Sequence, residues 1–278
     1  RPWLAYLIAA LLCLAALRIG PQAVLQGLRS DGRSMRIVLL YQLILPILAL
    51  SLVSILGVAS APWALALVFV LSAPSVTGSP NFAILMGRDP KAAMHLLLIG
   101  TALFPVTVLP VLWFGPAIQT PVAVVESALR LVGVIFGVVA FAFACRRWVW
   151  RRMTIKARAA LDGASALLLG VVVVGLMSAA GPALINTPSR FFAWLAFACA
   201  LNFGLQILSA RLMPLAHEQD RPGVALVAGN RNVALFLVAL PPETIDSLLL
   251  FIGVYQVPMY LTPLLMRRVT GPRTTKQI

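Results

Sequence analysis

Arg231 is the residue best placed to do chemistry. It lies in Ala228-Gly229-Asn230-Arg231-Asn232-Val233-Ala234-Leu235, within an apolar run from Val224 to Leu240. A guanidinium near the middle of a bilayer costs about 2.5–3.5 kcal/mol on insertion scales, so it must face protein, water or an anion. Three partners are open to it. Its planar fork can take a substrate carboxylate through two parallel hydrogen bonds. Because arginine keeps its proton, it can instead hold backbone carbonyls as a permanent cation, a structural plug. It can also pair with a buried carboxylate.

A second polar cluster interrupts an earlier apolar run. Ser72-Ala73-Pro74-Ser75-Val76-Thr77-Gly78-Ser79-Pro80-Asn81 sets two prolines and a glycine among hydroxyls and an amide. Prolines lack the amide donor, so the helical ladder must break there and its freed carbonyls need new donors. Thr77, Ser79, Asn81, Asn230, Arg231 and Asn232 are therefore the candidate crossing and substrate-binding residues.

Other ionisable groups inside apolar runs are few. Glu126 precedes Arg130 by four residues, which puts the two on one helix face and in reach of each other. Glu126 is also a candidate for carrying a coupling proton, with a relay role for His95 as the lesser option. His95 reads as a packed or interfacial histidine, and Gln206 and Gln256 as bonds between helices. No nucleophile lies with a base, no phosphate-binding loop occurs, and Cys13, Cys145 and Cys199 show neither metal nor redox spacing. The expectation is no catalytic residue, no bound metal, no cofactor and no enzyme activity.

The elements that must hold these residues follow from composition. Of 278 residues, 61% are hydrophobic and 11% charged, with a mean hydropathy of +0.97. Runs of about 20 apolar residues recur, the mark of a polytopic helical membrane protein rather than a barrel, whose segments alternate. Nine spans can be marked: Pro2–Leu17, Met35–Leu56, Pro62–Met86, Ala92–Phe114, Ala123–Cys145, Leu161–Ala180, Phe191–Leu212, Val224–Leu240 and Ile245–Met266.

The net charge of +14 suggests nucleic acid only until its placement is read. Arg18 and the connections Arg29–Arg36, Arg88–Lys91, Arg146–Arg158, Arg211–Arg221 and Arg267–Lys276 hold 18 of the 22 basic residues, all on one side of the predicted spans. Positive loops stay in the cytoplasm, so the C-terminus is expected there, in a bacterial inner membrane. The charges of Arg146–Arg158 then meet lipid headgroups, with Trp148 and Trp150 as interfacial anchors. Nucleic acid is not an expected partner, and no obligate protein partner is evident.

The interrupted spans are third and eighth of nine. The chain opens on Arg1 rather than Met, and a further helix upstream is expected; the breaks then fall in the fourth and ninth of ten. Those are equivalent positions in two five-helix halves, residues 1–118 and 119–278 of a single domain. An odd number of helices inverts the second half against the first. Inverted repeats with paired broken helices are the plan of secondary transporters, with the site at the crossing.

At these residues the chain resembles the bile acid:sodium symporter family, within the wider group that includes arsenite and auxin carriers. Pro74-Ser75-Val76-Thr77-Gly78-Ser79-Pro80-Asn81, followed by Leu85-Met86-Gly87-Arg88-Asp89, is similar to the break and turn of the family's fourth helix. Val227-Ala228-Gly229-Asn230-Arg231-Asn232-Val233-Ala234-Leu235 lies over the ninth-helix motif Glu-x-Gly-x-Gln-Asn-x-x-Leu-Ala. Asn202 falls where the preceding helix often has an asparagine, and Gln42 lies close to a site glutamine. The resemblance runs along nearly the whole chain.

The departures are specific. The resemblance implies sodium-binding oxygens where this chain has Val227, Arg231, Ala93 and Leu97. A hard cation needs several oxygen ligands, so both family sodium sites are expected to be degenerate, with Arg231 in the place of the cation. The implied function is a secondary transporter moving a small organic anion by alternating access. The alternative is a non-transporting sensor or scaffold on the same fold, plugged by Arg231.

Overall fold

The computed structural model describes residues 3–21, 32–117, 120–148, 154–213 and 215–268. Arg1, Pro2, Arg29, Trp150, Arg151, Arg152, Arg273 and Lys276, which entered the sequence reading, lie outside the described residues.

The chain is all-helical. In order come α1 (Trp3–Ile19), α2 (Gly32–Ile55), α3 (Pro62–Ser72), α4 (Ser79–Leu85), α5 (Lys91–Phe114) and α6 (Pro121–Trp148). Then follow α7 (Ile155–Leu176), α8 (Ala180–Asn186), α9 (Pro188–Leu212), α10 (Arg221–Gly229), α11 (Phe236–Ala239) and α12 (Pro242–Leu265). Six segments are long and apolar enough to cross a bilayer: α2, α5, α6, Ala159–Asn186, α9 and Thr244–Leu265, compatible with an integral membrane protein. The other three expected spans are α1, with 17 residues, and the two broken pairs α3/α4 and α10/α11, whose pieces fall short of that length individually.

Proline sets many of these boundaries. It occupies the first or second position of α3, α4, α9, α10 and α12, where no intrahelical donor is lost. The turn expected at Met86-Gly87-Arg88 ends α4: Gly87 N–H donates to Ile84 O and Arg88 N–H to Ala83 O, both at 2.9 Å. Gly87 adopts φ +72°, the left-handed conformation that this closure demands. In α2, a turn of π-helix covers Leu40–Ile44 just before Pro46.

α1 packs chiefly against α6 and α7, while α2, α4, α5, α9, α10 and α12 gather around the breaks. The two groups are joined where α6 meets α5 and α11 and where α7 meets α12, through one continuous apolar core. Behind the second break, the ring of Phe236 stacks on Phe69 at 4.4 Å and meets the edge of Phe104 at 5.4 Å. These aromatic contacts tie α3, α5 and α11 into one apolar core.

Candidate functional site: the crossing of the two broken helices

The chain leaves the helix after Ser72 and again after Gly229. The two unwound segments then pair as an antiparallel bridge, Ser75 opposite Arg231. Val76 N–H donates to Asn230 O at 2.9 Å, and Asn232 N–H to Pro74 O at 2.7 Å. Each break thus supplies partners for the other's backbone where lipid offers none. This pairing brings together the two clusters singled out in the sequence.

Arg231 is 3% exposed. Its Nε donates to Ala228 O at 2.9 Å and its Nη1 to Ala73 O at 3.0 Å. Those carbonyls lie at the C-terminal ends of α10 and α3, where helix dipoles gather negative charge. The guanidinium carbon stands 4.9 Å from the centroid of the Tyr41 ring, which adds a cation–π contact on one flank. The positive charge is therefore lodged between two half-helix ends and an aromatic face. Carboxylate pairing, one of the three options, is not what the geometry gives: Glu126 bonds Arg130 at 2.7 Å on the exposed face of α6.

The second break is caged by side chains of α9 and α12. Asn202 Nδ2 donates to Gly229 O at 2.7 Å, and Tyr255 OH donates to the same carbonyl. Gln206 Nε2 donates to Asn202 Oδ1 at 2.7 Å and to Thr262 Oγ1 at 3.0 Å; Thr262 in turn reaches Asn230 Oδ1 at 3.1 Å. Asn230 Nδ2 closes back on Leu226 O. Gly229 fits only without a side chain, since a Cβ there would lie 2.1 Å from Asn202 O.

The first break is tied more simply. Ser75 Oγ donates to Ser79 Oγ at 2.7 Å, and Ser79 N–H to Val76 O at 3.0 Å. Thr77 and Asn232, both half-buried, line a cavity of about 40 Å³ with Arg231, Thr101, Gln256 and Tyr260. The opposite wall comes from α1 and α7, through Ile8, Leu11 and Val172 among others. That volume admits water, which needs about 10–15 Å³ by the same measure.

Some expected site residues stand elsewhere. Asn81 is exposed and accepts from Arg18 Nη1 and Nη2 at 3.4 and 3.3 Å, outside the crossing. Only one face of α4 turns inward, through Ser79, Phe82 and Ala83. Asn81 shares the other face with the exposed Ile84 and Leu85. Gln42 is buried in the π turn, with neither Nε2 nor Oε1 partnered among the described residues, and it faces Gly100. Val227, Ala93 and Leu97 are buried apolar side chains. His95 is half-buried in α5 and takes no part in the bonds of the crossing described above.

Sequence reasoning did not single out Tyr41, Ser75, Tyr255 or Thr262. A signal for the last two exists: they stand seven apart in an apolar span, so they share one helix face. Gln206 is more than a simple bond between helices, since it fixes the orientation of Asn202.

No family model matches the chain, and no curated protein matches it.

Proposed function

We propose that the chain is a secondary transporter of the bile acid:sodium symporter type, moving a small organic anion by alternating access. In this reading nine spans and one further helix upstream form two inverted five-helix repeats, with α3/α4 and α10/α11 as the paired discontinuous helices. The Arg231 guanidinium takes the place of a coupling cation.

One observation carries the reading: a single permanent cation bonds the terminal carbonyls of both half-helices, Ala228 O and Ala73 O. Half-helix C-terminal ends are where such folds place their coupling ions. An organic anion is drawn by the same charge, and Thr77 and Asn232 offer hydrogen-bond donors at the cavity beside it. Transport is preferred over catalysis because the polar groups of the crossing are engaged in holding unwound backbone. The chain requires no cofactor in this scheme and works in a bacterial inner membrane with its C-terminus in the cytoplasm.

The scaffold alternative draws on the same contacts. Two of the guanidinium's nitrogens are engaged by carbonyls, and the adjoining cavity is small. Uptake of a panel of carboxylates into proteoliposomes separates the readings. A transporter shows saturable uptake that survives replacement of sodium by choline and falls in a folded Arg231→Ala variant. Strict sodium dependence, or full uptake by Arg231→Ala, overturns the arginine-for-cation reading. A chain that takes up none of the panel, and whose Thr77→Cys variant reacts with reagents from one side of the membrane only, is the plugged scaffold.

A further inference from the structure

The apolar packing of the molecule is continuous at one end and divided at the other. Toward the end where Thr244 Oγ1 bonds Ala117 O, buried side chains of α1, α6 and α7 share a single core with α3, α5, α11 and α12. Leu4, Val124 and Leu176 belong to that core together with Phe69, Phe104 and Phe251. At the end of the basic connections the same three helices keep to themselves. Ala16 and Leu17 of α1, Ala142 of α6 and Leu161 of α7 form one cluster there. Val38, Phe82, Leu96, Leu226 and Met259 belong to a separate cluster, drawn from α2, α4, α5, α10 and α12. A seam divides the two groups at this end.

Polar bonds tie α1, α6 and α7 into one piece beside the seam. Arg146 Nη1 of α6 donates to Leu17 O and Arg18 O at 2.6 and 3.0 Å, and Arg18 Nε meets Asp162 Oδ1 of α7 at 2.9 Å. The other two nitrogens of Arg18 cross the seam: Nη1 and Nη2 donate to Asn81 Oδ1 of α4, at 3.4 and 3.3 Å. Beside that bond Ile84 and Leu85 of α4 are exposed, so no apolar contact of theirs closes the gap. The cavity next to Arg231 lies on the same division. Leu11, Leu169 and Val172 wall it from α1 and α7, and Thr77, Thr101 and Tyr260 from the other group. α4 runs from Thr77 toward the basic connections, which sets Asn81 between the cavity and that end.

We infer that the molecule opens along this seam, at the end of the basic connections, and that Arg18 is the latch that holds it shut. The guanidinium is shared between the two groups. Its Nε stays on Asp162 within its own group, so letting go of Asn81 frees α4 without stranding the charge. Breaking the latch gives up one exposed polar bond, which water replaces at little cost. Opening the opposite end would instead part a continuous apolar core. The two ends are therefore closed by different means, and this one suits a contact that must break and re-form. The inference rests on the transporter reading, and it gives the anion a route to the cavity between α4 and the α1–α7 pair.

Thiol labelling of the full chain in membrane vesicles of both orientations tests this. Cys13, Cys145 and Cys199 are first replaced by alanine, and Thr77→Cys then reports entry of a membrane-impermeant maleimide into the cavity. Labelling is expected from the side of the basic connections, at a rate set by the open population. Asn81→Ala removes the acceptor, leaves the Arg18–Asp162 pair in place, and should raise that rate by about two- to fivefold. Asn81→Asp turns the bond into an ion pair and should lower it by a similar factor. Asn81 is exposed, and opposite shifts from one position cannot both come from misfolding. Adding Arg18→Gln should bring the two variants to within about twofold of each other, which a purely local effect at residue 81 would not do. No labelling from that side, equal rates in the parent and both variants, shifts in one direction, or a difference that survives Arg18→Gln overturns the latch. Uptake of the carboxylate panel is read in the same vesicles. The expected shifts without any uptake support the latch and remove the transporter; uptake without the shifts removes the latch alone.

Discussion

The two breaks answer the same physical problem in different ways. Around Gly229–Asn230 the unwound chain is held from outside, by Asn202 and Gln206 of α9 and by Tyr255 and Thr262 of α12. Around Ala73–Gly78 the side-chain bonds are local, Ser75 to Ser79 and to its neighbour's carbonyl. What reaches this first break from elsewhere, among the bonds described here, comes from the second: Arg231 to Ala73 O and the two backbone bonds of the bridge. One break is a fixture of its surroundings, and the other hangs on it. A fold arranged this way can loosen the first break without dismantling the second.

The glycines test this most severely. Gly229→Ala drives a methyl into Asn202 O, and a cost of about 3 kcal/mol or more is expected, read as a lowered unfolding midpoint and lost monodispersity in detergent. Gly78→Ala meets only the ring of Phe82, at 3.6 Å, and should stay within about 0.5 kcal/mol of the parent. Equal penalties would erase the distinction between caged and hanging break.

Arg231→Leu comes next. It strands the carbonyls of Ala73 and Ala228, at about 1–3 kcal/mol each, while relieving the burial of a charge. The net loss expected is about 2 kcal/mol by thermal unfolding, with Arg231→Lys in between because it keeps the charge without the fork. Hydrogen exchange should then rise at residues 73–78 before it rises at 229–232. The reverse order would place the anchor in the wrong break.

Smaller effects sharpen the same contrast. Asn202→Ala removes a donor from Gly229 O and an acceptor from Gln206, for about 2 kcal/mol. Ser75→Ala removes one local bond, for about 0.5–1 kcal/mol. Gln42→Met runs the other way. An unpartnered buried amide adds nothing by hydrogen bonding, so the midpoint should hold or rise by up to about 1 kcal/mol. A marked fall would reveal a partner that Gln42 finds within the folded chain.

Much of the architecture was legible in the sequence because apolar run length and proline are strong local signals. The run around Ala123–Cys145 became α6 and Phe191–Leu212 became α9 with shifts of three residues or fewer. The pairing of the breaks with each other was legible too, since two interrupted spans must satisfy each other's backbone somewhere. The carbonyl contacts of Arg231 were among the options raised, yet only geometry could choose, because one guanidinium suits carbonyl and carboxylate alike. Asn81 shows where the signal stopped short. Its spacing put it on one face with Ile84 and Leu85, but apolar neighbours suit lipid and protein alike, and only the structure turned that face outward. The π turn at Gln42 left no compositional trace, since it inserts no distinctive residue.

The bridge between Ser75 and Arg231 also has a consequence in time. Ala73 and Arg231 are separated by 158 residues. At 5–20 residues per second, a ribosome takes about 8–30 s to make that interval. Through it the first break exists in a nascent chain with its outward carbonyls awaiting donors not yet synthesised. The prolines that open the helix there cannot be sealed by helical bonds in the meantime. Assembly of the crossing is therefore the last act of synthesis rather than the first. A ribosome stalled before Arg231 should leave residues 73–78 open to water-borne probes, and one released past α12 should not.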